Sequence, residues 1–293
     1  MDERFSRTAL IFGDEGMSRL AKSRVAVFGV GGVGGHCALA LARSGIGAID
    51  VFDDDVVSLS NINRQAVAMT STLGRPKVEV IREQILDIHP GAEVTCHRLF
   101  YTPESADGVD LSAFDYVVDA IDTVRAKTEL IVRAQAACTP VISAMGAGNK
   151  LDPTRFEVAD IYDTSVCPLC RVMRTQLRKR GIGRHRVVYS TEEARSCVAD
   201  SANGRHAPGS VSFVPPVVGM ILAGEVVKAL ADGGERLRRH RRKGRAGRRS
   251  LSPSSGLFSR RAASVPPSRW RISTASACWG RCSTGTTRCL DRG

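Results

Sequence analysis

The sequence has no run of about 18 consecutive apolar residues, the length that a membrane-spanning helix needs, so no transmembrane segment is expected. Its start, Met1-Asp2-Glu3-Arg4, lacks the basic and apolar regions of a signal peptide, which favours a cytoplasmic protein with no membrane partner. The nine cysteines are mostly scattered, and Cys37, Cys96 and Cys138 lie in apolar patterns. This usage is typical of reduced thiols and not of a disulfide framework.

Acidic residues are almost missing from the end of the chain. Residues 236–293 contain sixteen Lys and Arg and a single acid, Asp291, so the net charge of this tail is +15. The whole chain has a net charge of +12, so the preceding residues have a net charge of −3. The tail has no apolar periodicity, which predicts a basic, low-complexity and disordered segment. A basic arm for nucleic acid is one interpretation. An expression-neutral tail, such as a reading-frame artefact would produce, is the favoured one, because the tail also carries Trp279 and three cysteines that look unselected.

Strand-like and helix-like segments alternate along the first half of the chain, which predicts an α/β fold: a doubly wound, mostly parallel, Rossmann-like sheet with helices on both faces. The predicted strands are 24–29, 48–53, 94–99, 116–120, 141–142, 156–161, 187–190 and 210–214. The predicted helices are 32–44, 76–88, 124–137, 171–180 and 217–230, with a short helical pattern at 16–20. A polar loop is expected at 192–209.

A G-x-G-x-x-G turn joins the first predicted strand to the helix that follows it. The turn contains Gly29, Gly31, Gly32 and Gly34, and Asp53 follows 19 residues after the last of them. Gly29 suits a tight turn, Gly31 a close approach of backbone to phosphate, and Gly34 close packing of helix and strand. Asp53 lies where a ribose-binding acid is expected for either NAD or ATP. A tight turn without a ligand is the alternative.

Three further features follow predicted strands or begin a helix: Asn61-x-Asn63-Arg64-Gln65, Lys77 and Asp122. All should reach the carboxyl edge of the sheet, where ligands bind in doubly wound folds. A triphosphate needs such cations, and Asp122 could hold Mg²⁺. An NAD-dependent dehydrogenase leaves them unexplained. Taken singly, Arg64 could form a surface ion pair, Lys77 could be a solvated helix residue, and Asp122 could cap a helix.

In combination these motifs resemble the ThiF/MoeB/HesA branch of the ubiquitin-activating superfamily over roughly residues 4–232. The matching motifs are Arg4-Phe5-Ser6-Arg7, the glycine loop, Asp53-x-Asp55, Asn61-x-x-Arg64-Gln65, Gly74-x-Pro76-Lys77 and Asp119-Ala120-Ile121-Asp122. The resemblance implies one ATP-binding, adenylating domain at 1–235 that activates a carboxylate as a homodimer.

The resemblance also implies roles for individual residues. Asp53 would bind the ribose within a nucleotide site that includes Asp55, and Asn61, Arg64 and Lys77 would contact phosphates. Asp122 would hold magnesium. Arg7 would reach into the partner subunit's site, with a solvated N-terminal charge as its alternative.

Within this branch the chain is most similar to the tRNA threonylcarbamoyladenosine dehydratase family. The supporting segments include Ala42-Arg43-Ser44-Gly45-Ile46-Gly47, Met145-Gly146-Ala147-Gly148 and Leu177-Arg178-Lys179-Arg180-Gly181-Ile182. The similarity implies ATP-dependent cyclisation of threonylcarbamoyladenosine in tRNA, by adenylation of its carboxylate. An adenylyltransferase for the C-terminus of a ubiquitin-like sulfur carrier is the alternative enzyme, and an inactive nucleotide-binding partner is the non-enzymatic one.

Seven Lys and Arg lie between Arg171 and Arg186, which suits either an RNA backbone or a solvated helix face. Cys167 and Cys170 have the Cys-x-x-Cys spacing that supplies two of the four ligands in a structural zinc site. No second Cys-x-x-Cys exists, and Cys278 and Cys282 are four residues apart in the tail, so structural zinc is not expected. Cys197 lies in the polar loop and has no assigned catalytic role. A sulfur-acceptor or redox partner protein stays an open question.

Overall fold

A computed structural model describes residues 2–195 and 208–233, all of which belong to one compact unit, Met1–Arg248. Its helices are α1 (Ser6–Lys22), α2 (Gly34–Arg43), α3 (Lys77–Ile88), α4 (Val124–Ala136), α5 (Pro168–Lys179) and α6 (Pro215–Ala231). Its strands are β1 (Arg24–Phe28), β2 (Ala48–Phe52), β3 (Glu93–His97), β4 (Tyr116–Asp119), β5 (Val141–Ala144), β6 (Phe156–Asp160) and β7 (Arg186–Ser190). Within this part of the chain, no helix is long and apolar enough to cross a membrane.

The seven strands form one sheet in the order β3-β2-β1-β4-β5-β7-β6. Every neighbouring pair is parallel except β6 and β7, which run antiparallel at one edge. The strand order reverses between β1 and β4, which places a ligand-binding crevice at their carboxyl ends. The expected doubly wound, mostly parallel α/β fold is confirmed.

Apolar residues cover both faces of the sheet. On one face, α1, α2, α3 and α6 pack against alternate strand residues such as Val25, Val27 and Val118. On the other face, α4 packs against Ala26, Phe28 and Val117, and α5 extends this layer beside β7. The central strands are therefore buried on both sides, as parallel sheets require, and the site must lie at their ends.

Two predicted elements differ from the structure. Residues 210–214 form no strand but a turn that leads into α6, in which Val214 is buried as the residue before the helix. The short helical pattern at 16–20 belongs to the much longer α1, which Gly13 interrupts at φ 68°. The apolar periodicity did not predict the first half of α1, because Leu10 and Ile11 are 88% and 79% exposed and so do not mark a buried face.

Several expectations concern residues outside the described ones. They include most of the 192–209 loop with Cys197, the tail at 236–293 with Cys278 and Cys282, and the domain boundary after residue 235. These stay predictions.

Candidate active site

The glycine loop turns sharply at the end of β1. Gly29 has φ +88°, and a Cβ there would lie 2.6 Å from the carbonyl oxygen of Ala120. A Cβ on Gly34 would lie 1.7 Å from the carbonyl oxygen of Gly29, so only glycine lets α2 begin at this point. Among the described residues, a Cβ on Gly31 would meet only the tip of Gln65, at 3.9 Å. The loop therefore presents open backbone at Gly31, which suits close approach by a phosphate.

A cavity of about 660 Å³ lies at the carboxyl ends of β1, β2, β4 and β5. It is large enough for a nucleotide. Its lining includes nine of the predicted site residues: Gly29, Gly31, Gly32, Asp53, Asp55, Asn61, Arg64, Lys77 and Asp122. Gly34 lies just behind it at the start of α2. The structure thus brings together residues that are up to 93 positions apart in the sequence.

Asp53 connects the end of β2 to the glycine loop. Its Oδ2 accepts a hydrogen bond from the Val30 N–H at 2.6 Å, and its Oδ1 accepts one from the Asp55 N–H at 2.9 Å. Burial raises the pKa of Asp53, while the Lys77 ammonium opposes that shift. The carboxylate therefore holds the loop in shape at the place where the ribose was expected.

Lys77 begins α3 directly after Pro76, as its spacing predicted. Its side chain is almost fully buried, and its Nζ lies 2.6 Å from Oδ2 of the largely exposed Asp55. A buried ammonium keeps its charge at low cost only when it is paired. Asp55 supplies that charge here, and an anion in the cavity could take its place.

Asn61 and Arg64 lie on the turn between β2 and α3. The Asn61 side chain is buried, and its Oδ1 accepts from the Ser58 N–H at 3.2 Å. Its amide NH₂ is the part that could donate to a phosphate. Arg64 donates from Nη1 to the Ser60 carbonyl at 2.9 Å and to the Asn63 side chain at 2.8 Å. Local contacts therefore fix both side chains at the cavity wall.

Asp122 is exposed on the loop between β4 and α4 and lines the cavity. Behind it, Asp119 accepts from the Ile121 N–H at 3.1 Å and from the Lys127 Nζ at 2.8 Å, and both partners of this ion pair are completely buried. The pair therefore anchors the loop that carries Asp122.

Asp119 belongs to a matching motif but has no role predicted from the sequence, and Lys127 is a further polar residue that the structure adds. They belong to a buried polar group in which Ser143 contacts both Asp119 and the Nε2 of His185, the latter at 2.7 Å. Burial lowers the pKa of His185 to about 3. A charge on the apolar face of α4, beside Ala126 and Leu130, was the signal that could have identified the group.

Candidate metal ligands lie at one side of the cavity. In the part of the chain that the structure describes, the one group of three or more potential ligands is Asp53, Asp54 and Asp55, whose carboxylate oxygens lie within 4.8 Å of one another. The expected magnesium ligand, Asp122, is not in this group. Its exposed carboxylate oxygens nevertheless are the hard ligands that Mg²⁺ prefers.

Arg7 is exposed in the first turn of α1 and is not among the residues that line the cavity. Within one chain it is therefore not brought to the other predicted site residues. Leu10 and Ile11 expose their side chains on the same helix. The role expected for Arg7 in a partner's site stays a prediction.

The basic stretch 171–186 is mostly engaged within the fold. Arg174 donates to Thr164, Arg178 lies over the Tyr162 ring, and Arg180, Arg184 and Arg186 form ion pairs with acidic side chains. Arg171 and Lys179 are exposed at the two ends of α5. An RNA interface on this surface would therefore depend chiefly on these two residues.

Known proteins are similar to this chain in sequence and in architecture. The model of the ThiF family matches residues 5–250. The tRNA threonylcarbamoyladenosine dehydratase of Bacillus subtilis is 45% identical over 242 residues, which cover 78% of this chain and 95% of that protein.

Solved structures agree. The crystal structure of the Escherichia coli tRNA N6-threonylcarbamoyladenosine dehydratase, TcdA, in complex with AMP matches with a TM-score of 0.73 at 33% identity, over 80% of this chain and 96% of that one. The same enzyme in complex with ATP matches with a TM-score of 0.71 at 33% identity, with the same coverage. The glycine loop, the cavity and these similarities together show that the chain belongs to the ThiF family.

Proposed function

We propose that this chain uses ATP to cyclise threonylcarbamoyladenosine in tRNA, with net loss of water. The observation that carries the proposal is the cavity in which a glycine loop, two cations and an exposed carboxylate meet at the switch point of the sheet. The similarity over nearly the whole length of the Bacillus subtilis dehydratase supports the choice of substrate. The AMP and ATP complexes of the Escherichia coli enzyme support the choice of nucleotide.

Carboxylate oxygen is a poor leaving group, and adenylate is a good one. In the first step a carboxylate oxygen of the substrate attacks the α-phosphorus, the bond between the α- and β-phosphates breaks, and pyrophosphate leaves. Arg64, Asn61 and Lys77 stabilise the negative charge that develops on the phosphates. Lys77 exchanges its contact with Asp55 for one with phosphate.

In the second step a nitrogen or oxygen of the same substrate attacks the activated carbonyl. The ring closes, AMP leaves, and the proton of the attacking group is released. No protein nucleophile is needed because the substrate reacts with itself. The residues of this chain therefore bind, orient and neutralise charge.

Mg²⁺ would neutralise phosphate charge when bound, and Asp122 would hold it. Arg7 would complete the site from a second copy of the chain. The exposed pair Leu10 and Ile11 supports a homodimer in which α1 is covered, because apolar side chains of this size gain from burial. Arg171 and Lys179 would contact the tRNA backbone.

The test compares ATP turnover and pyrophosphate exchange in the presence of threonylcarbamoyl-tRNA, unmodified tRNA and a ubiquitin-like sulfur carrier. We expect stimulation by threonylcarbamoyl-tRNA alone, with a modified nucleoside that is lighter by one water in mass spectrometry. Stimulation only by the carrier would show the alternative adenylyltransferase. Indifference to all three would show an inactive nucleotide-binding partner.

A further inference from the structure

Cys167 and Cys170 have no role in the proposed adenylation, yet they lie beside the cavity in which it would take place. Cys167 directly precedes α5, and Cys170 is the third residue of that helix. Both side chains are buried, and neither is in a disulfide. One helical turn separates them, which is the spacing that lets two cysteines at a helix start form a disulfide ring.

The backbone in front of the pair is strained. Val166 has φ +56°, a conformation that β-branched residues rarely adopt. The Cys167 N–H donates back to the Ser165 carbonyl at 2.5 Å across this turn. This unusual turn sets Cys167 at the start of α5, where the free N–H groups favour an anion.

The surroundings of Cys167 stabilise a thiolate. The neighbouring Cys170 thiol and the backbone N–H groups of Cys170, Gly146 and Leu169 favour the charged form of Cys167. Together they lower the pKa of Cys167 to about 5, in spite of its burial. The pKa of Cys170 is raised by the neighbouring Cys167 and by burial. One sulfur is thus a nucleophile at neutral pH, and the other keeps its proton.

The pair lies directly behind the cavity wall. A Cβ on Gly146 would lie 3.8 Å from the Cys167 sulfur, and Gly146 and Leu169 both line the cavity. We therefore expect a change at the sulfur to displace Gly146 and Leu169, which line the cavity.

We propose that Cys167 and Cys170 are a redox-active dithiol whose oxidation to a disulfide weakens nucleotide binding. This inference rests on the proposed ATP site. The oxidant is hydrogen peroxide or a peroxide of similar size, because only a small molecule can reach sulfurs buried this deeply.

The reaction is a two-electron oxidation. The Cys167 thiolate attacks one peroxide oxygen, the O–O bond breaks, and hydroxide leaves, which produces a sulfenic acid. The Cys170 sulfur then attacks the Cys167 sulfur. The S–S bond forms, the S–O bond breaks, and the Cys170 proton leaves with the hydroxyl as water. A dithiol reductant reverses the change.

A metal role for the pair is less well supported. Zinc in structural sites takes four ligands, and no group of three or more candidate ligands among residues 2–195 and 208–233 includes either cysteine. The zinc content of the protein is therefore measured as well.

The first experiment treats the reduced full-length protein with hydrogen peroxide and maps its cysteines under non-reducing conditions. We expect a peptide that contains Cys167 and Cys170 to lose two hydrogen atoms in mass and to regain them with dithiothreitol. Cys138, an exposed thiol on the same chain, is the internal comparison. Oxidation of Cys138 while the pair stays reduced would overturn the proposal. Stoichiometric zinc that is lost in Cys167→Ser would overturn it as well.

The second experiment measures ATP affinity by calorimetry before and after oxidation. We expect affinity to fall by about fivefold or more, in the range typical of coupled sites, and to recover on reduction. Cys170→Ser should bind ATP as the reduced protein does and should show no reversible fall with peroxide. A disulfide that leaves affinity unchanged would refute the coupling. Reduced protein that binds no ATP would instead refute the proposed function, while the peptide map would still judge the dithiol.

Discussion

Asp119 and Lys127 form an ion pair at 2.8 Å in which both side chains are completely buried. Asp119 ends β4, and Lys127 lies one turn into α4, so the pair joins the two elements on either side of the Asp122 loop. Burial raises the pKa of Asp119, and the Lys127 ammonium opposes that change. A buried charge is stable here only while its partner remains.

Removal of one partner should therefore destabilise the fold strongly. We expect Lys127→Met to lower the free energy of unfolding by about 3–5 kcal/mol, because it leaves the Asp119 carboxylate unpaired. Arg125→Ala is the matched control: its ion pair with Glu104 is exposed, so a loss below about 1 kcal/mol is expected. Urea unfolding followed by circular dichroism measures both. Equal losses in the two variants would contradict this account of the buried pair.

His185 should make stability depend on pH. Its pKa of about 3 in the folded protein lies below the ordinary value, so the unfolded chain binds the extra proton as pH falls. The contribution of neutral His185 to the free energy of unfolding should be fully present above about pH 6.5. Between pH 6.5 and pH 3 the free energy of unfolding should fall by up to about 1.4 kcal/mol per pH unit.

His185→Gln should lose this contribution and show a flatter profile than the parent between pH 6.5 and 5. His89→Gln, at a partly buried histidine whose pKa burial also lowers, should change the slope less. Urea midpoints at half-unit pH steps provide the measurement. A slope that is the same in the parent and in His185→Gln would show that His185 is not the titrating group.

Asp122→Ala should abolish adenylation while the fold stays intact. Asp122 is exposed and lines the cavity, so its loss removes a candidate magnesium ligand without opening the core. We expect pyrophosphate exchange to fall by about 10²-fold or more with little change in Tm. Asp163→Ala, at an exposed acid away from the cavity, should keep its activity. Retained turnover in Asp122→Ala would remove the magnesium assignment.

Arg7 should act across a dimer, and subunit mixing can show it. Arg7→Ala and Asp122→Ala should each be inactive, but an equimolar mixture after subunit exchange should recover about one quarter of parental activity. Half of the dimers are then mixed, and each mixed dimer has one intact site. Light scattering establishes the dimer independently. A mixture as inactive as its components, under conditions where exchange is demonstrated, would place Arg7 elsewhere.

Arg171 and Lys179 should contribute to tRNA affinity through phosphate contacts. The double change Arg171→Glu and Lys179→Glu should weaken binding and reduce the slope of log affinity against log salt by about 1–2 units. Arg180→Ala is the control, because Arg180 pairs with Glu129 within the fold. Filter binding at several salt concentrations reports both quantities. An unchanged salt slope in the double variant would support the solvated-face interpretation of α5.

Sequence motifs anticipated the fold and many of the residues that line the cavity, because both depend on local signals. Alternating periodicity indicated the parallel sheet, and in such a sheet the carboxyl ends of the strands meet at one edge. Gly31, Arg64 and Asp122 therefore line one cavity although their sequence positions are far apart. The prediction of a strand at 210–214 was wrong because the local signal was misleading there. Its apolar residues suit a strand, but the buried Val214 packs in the core as the residue before α6.

The order of the residues alone specifies the glycine loop, the acid that follows it and the family. Glycines are required wherever a Cβ would collide, and that requirement is visible in the order of the residues. Which groups contact one another across the fold depends on the packing of separate elements. Lys77 meets Asp55, Lys127 meets Asp119, and Cys167 meets Gly146. These pairings depend on burial and on distances of a few ångströms between separate elements, because both the pKa of a group and the cost of a charge follow from its surroundings in space.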